Sequence, residues 1–99
     1  MSTIRLEILP WLSRSFDMEG STRVILDREV PEGATVRDVL ELLAVERPAF
    51  GHALYDPEGR VAVYVSIILN DRLYELAGGL QAEVREGDVV RLLPAFSGG

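Results

Sequence analysis

The sequence predicts an α+β fold in which one mixed sheet packs against one main helix. The segment ATVRDVLELL, residues 34–43, has a cap signal and one apolar stripe, which is typical of an amphipathic helix. Short segments on both sides of it alternate apolar with polar residues, as half-buried strands do. Residues 70–88 hold too many glycines for a second long helix, which excludes a ferredoxin-like split fold.

The N-terminal part of the chain predicts a hairpin. Pro10 ends a first strand, and a polar loop that turns at Gly20 leads to a second strand over residues 22–26, alternating through Val24. The apolar positions of the first strand recur with a period of two, which places them on one face: Ile4, Leu6 and Ile8.

The sequence predicts both ends of the main helix. Thr35 can cap the first turn, and Asp38 follows at the spacing of a capping box. Pro48 disfavours helical geometry in Arg47 and so ends the helix. The residues expected to face the core are Val36, Val39, Leu40 and Leu43.

The C-terminal half predicts three further strands. After a short helical turn around residues 52–55, residues 61–69 form the strongest strand signal, with one face made by Val61, Val63, Val65, Ile67 and Leu69. Asn70-Asp71 is a tight turn into a short strand, and residues 85–88 turn into a final strand, residues 89–93. The order strand, strand, helix, strand, short strand, strand predicts the β-grasp, or ubiquitin-like, arrangement.

Composition limits the function classes. The 99 residues predict a single domain, and the net charge of −6 argues against a nucleic-acid partner because phosphates would be repelled. No apolar run is long enough to span a membrane, and the N-terminus lacks a signal-peptide pattern, so we expect a cytoplasmic protein. The chain has no cysteine and no lysine, so it cannot form lysine-linked chains of its own copies.

Catalytic patterns are absent from the sequence. His52 is the only histidine, and no serine or acid stands in a pattern that would make it part of a catalytic triad. No metal-ligand spacing occurs either. We therefore expect a protein that is not itself an enzyme and holds no metal.

The outward face of the predicted sheet is a candidate partner site. If Val90 and Leu92 point inward, alternation sends Arg91 and Leu93 outward, and the same rule sends Tyr64 and Ile68 outward. These side chains predict an apolar surface of Tyr64, Ile68 and Leu93 with Arg91 at its edge, a composition that favours protein binding. The alternative is that residues 48–60 fold over this surface.

The chain ends in a diglycine, at the end of a short tail that follows the final strand directly. Gly98 and Gly99 have no side chains, so their backbone can enter a channel too narrow for other dipeptides. We therefore divide the chain into a β-grasp domain, residues 1–93, and a C-terminal tail, residues 94–99. The alternative for the tail alone is a frayed, linker-like end.

Together these features resemble the ubiquitin-like sulfur carriers, the family of the molybdopterin synthase small subunit and the thiamin-biosynthesis carrier. The matching segments are ATVRDVLELL, YVSIILND, EGDVVRLLP and the terminal Gly-Gly. The resemblance implies that an ATP-dependent, E1-like activating enzyme adenylates Gly99 and that a sulfur donor then leaves a thiocarboxylate. It also implies no permanently bound cofactor, with ATP used by the activating enzyme, and adds Pro94 and Phe96 to the residues that contact partners.

The resemblance leaves the destination of the sulfur open. The first expectation is the small subunit of molybdopterin synthase, acting with the large subunit in molybdenum cofactor biosynthesis. The long middle segment, residues 56–80, is similar to the longer members, which include the cysteine-biosynthesis carrier. Alternatives are therefore a carrier for cysteine, thiamin or another metabolite, a ubiquitin-like modifier joined through Gly99 to lysines of other proteins, and an interaction module whose diglycine is incidental.

Overall fold

Five strands and two α-helices make up the fold in the computed structural model, which describes residues 1–9 and 23–94. Two short 3-10 helices, Tyr74–Ala77 and Gly79–Gln81, precede the last strand. In chain order the elements are β1 (Ser2–Ile8), β2 (Val24–Val30), α1 (Val36–Glu46), α2 (Pro48–Leu54), β3 (Val65–Leu69), β4 (Arg72–Leu73) and β5 (Val89–Pro94).

The strands form one mixed sheet in the order β2-β1-β5-β3-β4. The predicted hairpin is confirmed, since β1 pairs antiparallel with β2 from Ser2 opposite Val30 to Ile8 opposite Val24. The first and last strands run parallel in the middle of the sheet, while β3 pairs antiparallel with both β5 and β4. This topology, with the main helix against one face, confirms the predicted α+β, β-grasp fold.

The core lies between the sheet and the helices. The inward faces of β1 and β5 and the apolar stripe of α1 are fully buried, as the period of each element predicts. The side chains at this interface are Ile4, Leu6, Ile8, Val36, Val39, Leu40, Leu43, Ile67, Val90 and Leu92.

The capping box of α1 is confirmed. The Asp38 backbone N–H donates to the Thr35 hydroxyl at 3.3 Å, and the Thr35 backbone N–H donates to the Asp38 carboxylate at 2.9 Å. The helix ends at Glu46, before Arg47, as the proline predicts. Pro48 then occupies the first turn of α2, where its missing N–H costs nothing.

The second helix is longer than the predicted turn and packs tightly against the first. Phe50 and Leu54 are fully buried in the core, and they lie four residues apart on one face of α2. A Cβ added to Gly51 would lie 2.9 Å from the Cβ of Ala44 on α1, so the glycine permits the close approach. Residues 48–54 therefore belong to the helical layer.

The predicted strand over residues 61–69 is wrong in its first part, because β3 begins only at Val65. The Ala62 backbone N–H donates to the Leu54 carbonyl, and the Val65 N–H donates back to the Ala62 carbonyl in a turn. Val63 lies in this turn and is 91% exposed rather than inward-facing. The alternation of apolar residues thus continues through a segment where the backbone leaves the sheet.

Strand β2 extends to Val30, beyond the predicted end at Leu26. Its charged residues suit an edge strand, where charge opposes pairing with other chains. Arg28 also joins β2 to the end of α1 through a two-pronged ion pair with Glu46, with N···O distances of 2.9 and 2.8 Å. The hydrogen bonds from Arg28 hold the pKa of Glu46 below its ordinary value. Across the described residues, no helix combines the length and apolar character that a bilayer span requires.

Candidate functional site

The site is built on β5, the strand that leads to the diglycine. Asn70, in the turn between β3 and β4, holds the start of this strand. Its backbone N–H donates to the Val89 carbonyl at 2.7 Å, and its side-chain oxygen accepts the Val89 N–H at 3.0 Å. Asn70 adopts a positive φ of 59°, a conformation that asparagine tolerates better than most residues. This double contact fixes the register of β5 against β3.

The far end of β5 precedes the predicted C-terminal tail. Pro94 is the last residue of the strand and lies opposite Val65, the first residue of β3. Residues 62–65, just before β3, form a turn. The predicted functional residues Phe96, Gly98 and Gly99 lie outside the described residues, and their roles stay predictions, as does the division of the chain after residue 93.

The outer face of the sheet brings together three of the six predicted partner-binding residues: Ile68, Arg91 and Leu93. Ile68 lies opposite Arg91, and Leu93 lies opposite Ser66, on neighbouring strands. All four face away from the core, whose side of these strands carries Val65, Ile67, Val90 and Leu92. Ile68 and Leu93 are half-buried within the face rather than fully exposed. We call Ile68, Arg91 and Leu93 the outer patch.

Arg91 borders the apolar pair Ile68 and Leu93 on the side of β1. It pairs across the sheet with Glu7, whose Oε1 accepts from the Arg91 Nε at 3.0 Å. Arg23 approaches the same Glu7 oxygen at 3.9 Å. The parallel pairing of β1 with β5 creates the contact between Glu7 and Arg91, which are 84 positions apart in the sequence. The outer patch therefore combines two apolar side chains with one paired charge.

On the outer face, one row of side chains crosses all five strands of the sheet. Ile25 on β2 lies opposite Glu7, and Leu73 on β4 lies opposite Ile68. Both apolar side chains are substantially exposed, at 50% and 44%. Ile25, Leu73 and Glu7 were not among the predicted site residues. Their outward direction follows from strand alternation, but only the sheet order shows that their strands continue the face of β5 on both sides.

Tyr64 is not part of the outer patch. It precedes β3, so strand alternation does not set its direction, and its hydroxyl donates to the Ala53 carbonyl on α2 at 2.6 Å. That bond directs the side chain toward the helical layer, although 47% of the residue remains exposed. The expectation that Tyr64 shares a face with Ile68 was wrong because it placed residue 64 inside a strand.

Residues 48–54 do not cover the outer patch. They form α2, which packs on α1 on the other side of the sheet. His52 is exposed on that helix, away from the core. Within residues 1–9 and 23–94, no three histidine, aspartate or glutamate side chains come together in a way that could hold a metal ion. The outer patch has a composition that favours protein binding, and its role as a partner site stays a prediction.

Sequence comparison identifies relatives of the chain. The ThiS family model matches residues 20–99. A protein described as a putative sulfur carrier protein from Archaeoglobus fulgidus is 32% identical over 68 residues, covering 69% of this chain and 77% of its own length. The sulfur carrier protein CysO of Mycobacterium tuberculosis is 33% identical over 69 residues, covering 68% of this chain and 74% of its own length.

Solved structures share the fold over nearly all of the chain. A structure of the BexX/CysO complex of Amycolatopsis orientalis contains a chain that is 26% identical, with a TM-score of 0.72 and coverage of 97% of this chain and 99% of that one. The small archaeal modifier protein 1 of Haloferax volcanii has a TM-score of 0.76 at 21% identity, with coverage of 97% and 100%.

A third structure, the putative molybdopterin converting factor subunit 1 of Pyrococcus furiosus, has a TM-score of 0.71 at 22% identity, with coverage of 97% and 100%. At these identities the last two structures show the fold alone. The family match covers most of the chain, and the relatives are small carriers rather than catalysts. The chain therefore belongs to the ThiS family and is a ubiquitin-like sulfur carrier protein.

Proposed function

We propose that this carrier transports sulfur on the carboxyl group of Gly99 as a thiocarboxylate. In the first step a carboxylate oxygen of Gly99 attacks the α-phosphorus of ATP, and pyrophosphate leaves. In the second, a hydrosulfide equivalent attacks the acyl carbon, the carbon–oxygen bond to AMP breaks, and AMP leaves with the electron pair of that bond. The activated acyl group is needed because an ionised carboxylate is a poor electrophile. ATP would be bound by the activating enzyme rather than by the carrier.

The observation that carries the proposal is the position of β5, whose last residue, Pro94, stands five residues before the C-terminal Gly99. The strand β5 lies between β1 and β3 and pairs with both, so Pro94 is anchored to the sheet. Residues 95–99, which include the diglycine, span about 17 Å when fully extended. That length suffices to carry Gly99 into a recessed active site while the domain remains outside.

The enzyme that accepts the sulfur is proposed from the relatives. The similarity to CysO, above 30% identity, supports a cysteine-forming acceptor. The expectation of a molybdopterin synthase large subunit has weaker support, since the molybdopterin-related structure is 22% identical and supports only the fold. The ubiquitin-like modifier alternative is likewise supported only at the level of the fold, because the archaeal modifier is 21% identical to this chain. We therefore propose cysteine formation as the destination and keep molybdenum cofactor synthesis as the second candidate.

The first step can be tested by ATP–pyrophosphate exchange with the cognate activating enzyme. Exchange should depend on the carrier and should be lost when Gly99 is deleted, because the reacting carboxyl would then lie one residue short of the catalytic position. The variant Val45→Asp, which changes an exposed residue of α1, serves as the control for a surface substitution. Exchange that persists undiminished after deletion of Gly99 would rule out activation at this residue.

The outer patch gives a second prediction. Ile68→Asp or Leu93→Asp should weaken binding to the activating or the acceptor enzyme by roughly tenfold or more, because a charge replaces an apolar contact. The loss of fold stability should be modest, about 1–2 kcal/mol, since both side chains are only half-buried. Titration calorimetry and thermal unfolding measure the two effects. Unfolding of either variant at room temperature would instead show that these side chains support the core.

A further inference from the structure

The turn at residues 62–65 displays an apolar side chain that no packing explains. Val63 is 91% exposed, the highest value among the large hydrophobic residues in the described part of the chain. A β-branched residue has little intrinsic reason to occupy a turn, where glycine, asparagine and aspartate are preferred. Because Val63 contributes almost nothing to the core, the fold does not require valine at this position.

Val63 lies on the rim of an open groove of about 340 Å³. The groove runs between the turn and the first 3-10 helix, Tyr74–Ala77. Its lining is mixed: valine and alanine side chains lie beside Ser66, Tyr74 and one exposed acid, Glu75. We call this surface the collar groove; it is lined by Val61, Val63, Ser66, Tyr74 and Glu75 among others.

The collar groove lies beside Pro94, the last residue of β5. Val65, another of its lining residues, pairs directly with Pro94, where β5 ends. Only residues 95–99 separate this point from the Gly99 carboxyl. Even fully extended, they reach about 17 Å. An enzyme that takes Gly99 into a recessed active site must therefore bring its surface against the end of the sheet where the collar groove opens.

We propose that the collar groove is a second docking surface for the activating enzyme, which places an apolar side chain against Val63 and a basic group near Glu75. This inference rests on the proposed function, because the activating enzyme is the first protein that must engage Gly99. The exposed Val63 side chain favours an apolar contact from the partner, and the charge of Glu75 favours a basic group. The groove borders the outer patch, because its lining residue Ser66 lies opposite Leu93, but the two surfaces share no residue.

The test compares Val63→Asp with Val45→Asp in the exchange assay. Both valines are highly exposed, at 91% and 80%, so neither substitution should unfold the protein. Val45 precedes Glu46, whose carboxylate pairs with Arg28 on β2, at the opposite edge of the sheet from β3 and β4. We expect Val63→Asp to raise the KM for the carrier by about tenfold with kcat little changed, Val63→Ile to stay near the parent, and Val45→Asp to change KM less than about twofold.

Charge is tested separately with Glu75→Arg. Glu75→Arg should raise the KM for the carrier in a salt-dependent way. Glu29→Arg on the edge strand β2 changes the net charge equally and should raise this KM less. A Val63→Asp variant with the parent's KM would overturn the collar groove as a docking surface while leaving activation at Gly99 intact. If the unchanged carrier supports no exchange with its cognate enzyme, the proposed function fails and this inference fails with it.

Discussion

Carrier recovered from cells together with its activating enzyme and a sulfur source is expected to be heavier by the exchange of one oxygen for sulfur. The extra mass should reside on Gly99, because the chain has no cysteine that could carry a persulfide. Intact-protein mass spectrometry measures the shift, and fragmentation of the C-terminal peptide locates it. The expected change is nearly complete, from carboxylate to thiocarboxylate, when ATP and the sulfur donor are in excess.

Deletion of Gly99 is the matched control for this experiment. The shortened protein should gain no mass, and its thermal unfolding should be nearly unchanged because a glycine has no side chain to bury. A cognate enzyme that leaves neither an adenylate nor a thiocarboxylate on the full-length protein would contradict the sulfur-carrier mechanism.

The same recovery experiment separates a carrier from a protein modifier. A carrier should be found free, whereas a modifier should appear in species of higher mass joined through Gly99 to lysines of other proteins. The chain has no lysine, so lysine-linked chains built from this protein alone cannot form. Recovery mostly in lysine-linked conjugates would support the modifier alternative in place of the proposed function.

The second large effect is expected in the core. Val39→Asp or Val90→Asp should unfold the protein, because each side chain is fully buried and aspartate would place an unpaired charge among apolar neighbours. The expected loss is at least about 4 kcal/mol, which is most of the stability of a small domain at the lower end of the usual range, about 5–15 kcal/mol. Urea titration followed by circular dichroism measures it.

Comparison with Val45→Asp tests whether burial is the cause of the loss of stability. Val45 lies on the same helix as Val39 but is 80% exposed. Valine and aspartate have similar helix propensities, so the intrinsic cost of the exchange is nearly the same at the two positions. A large loss at Val45, or a small one at Val39, would show that the assigned inward face of α1 is wrong.

The elements with a strong local signal could be predicted from the sequence. The period of the apolar residues fixed which faces of β1, α1 and β5 are buried, and Thr35 with Asp38 marked the start of the helix. Asn70-Asp71 marked the turn that positions β5, because a two-residue turn with asparagine needs no distant contact to form. The family resemblance rested on the same segments together with the diglycine, and the family match confirms it.

Tertiary contacts decided the rest. The apolar alternation from Val61 to Leu69 fits a strand, yet the Ala62 backbone N–H donates to the Leu54 carbonyl on α2. The sequence predicted only a short helical turn in place of that helix. This hydrogen bond accompanies the turn at residues 62–65, so that β3 begins only at Val65 and Val63 is exposed. Glu7 and Arg91 likewise meet only because β1 and β5 run parallel. Local periodicity shows which face of an element is apolar, but which elements become neighbours depends on long-range packing, and both the outer patch and the collar groove join residues of different elements.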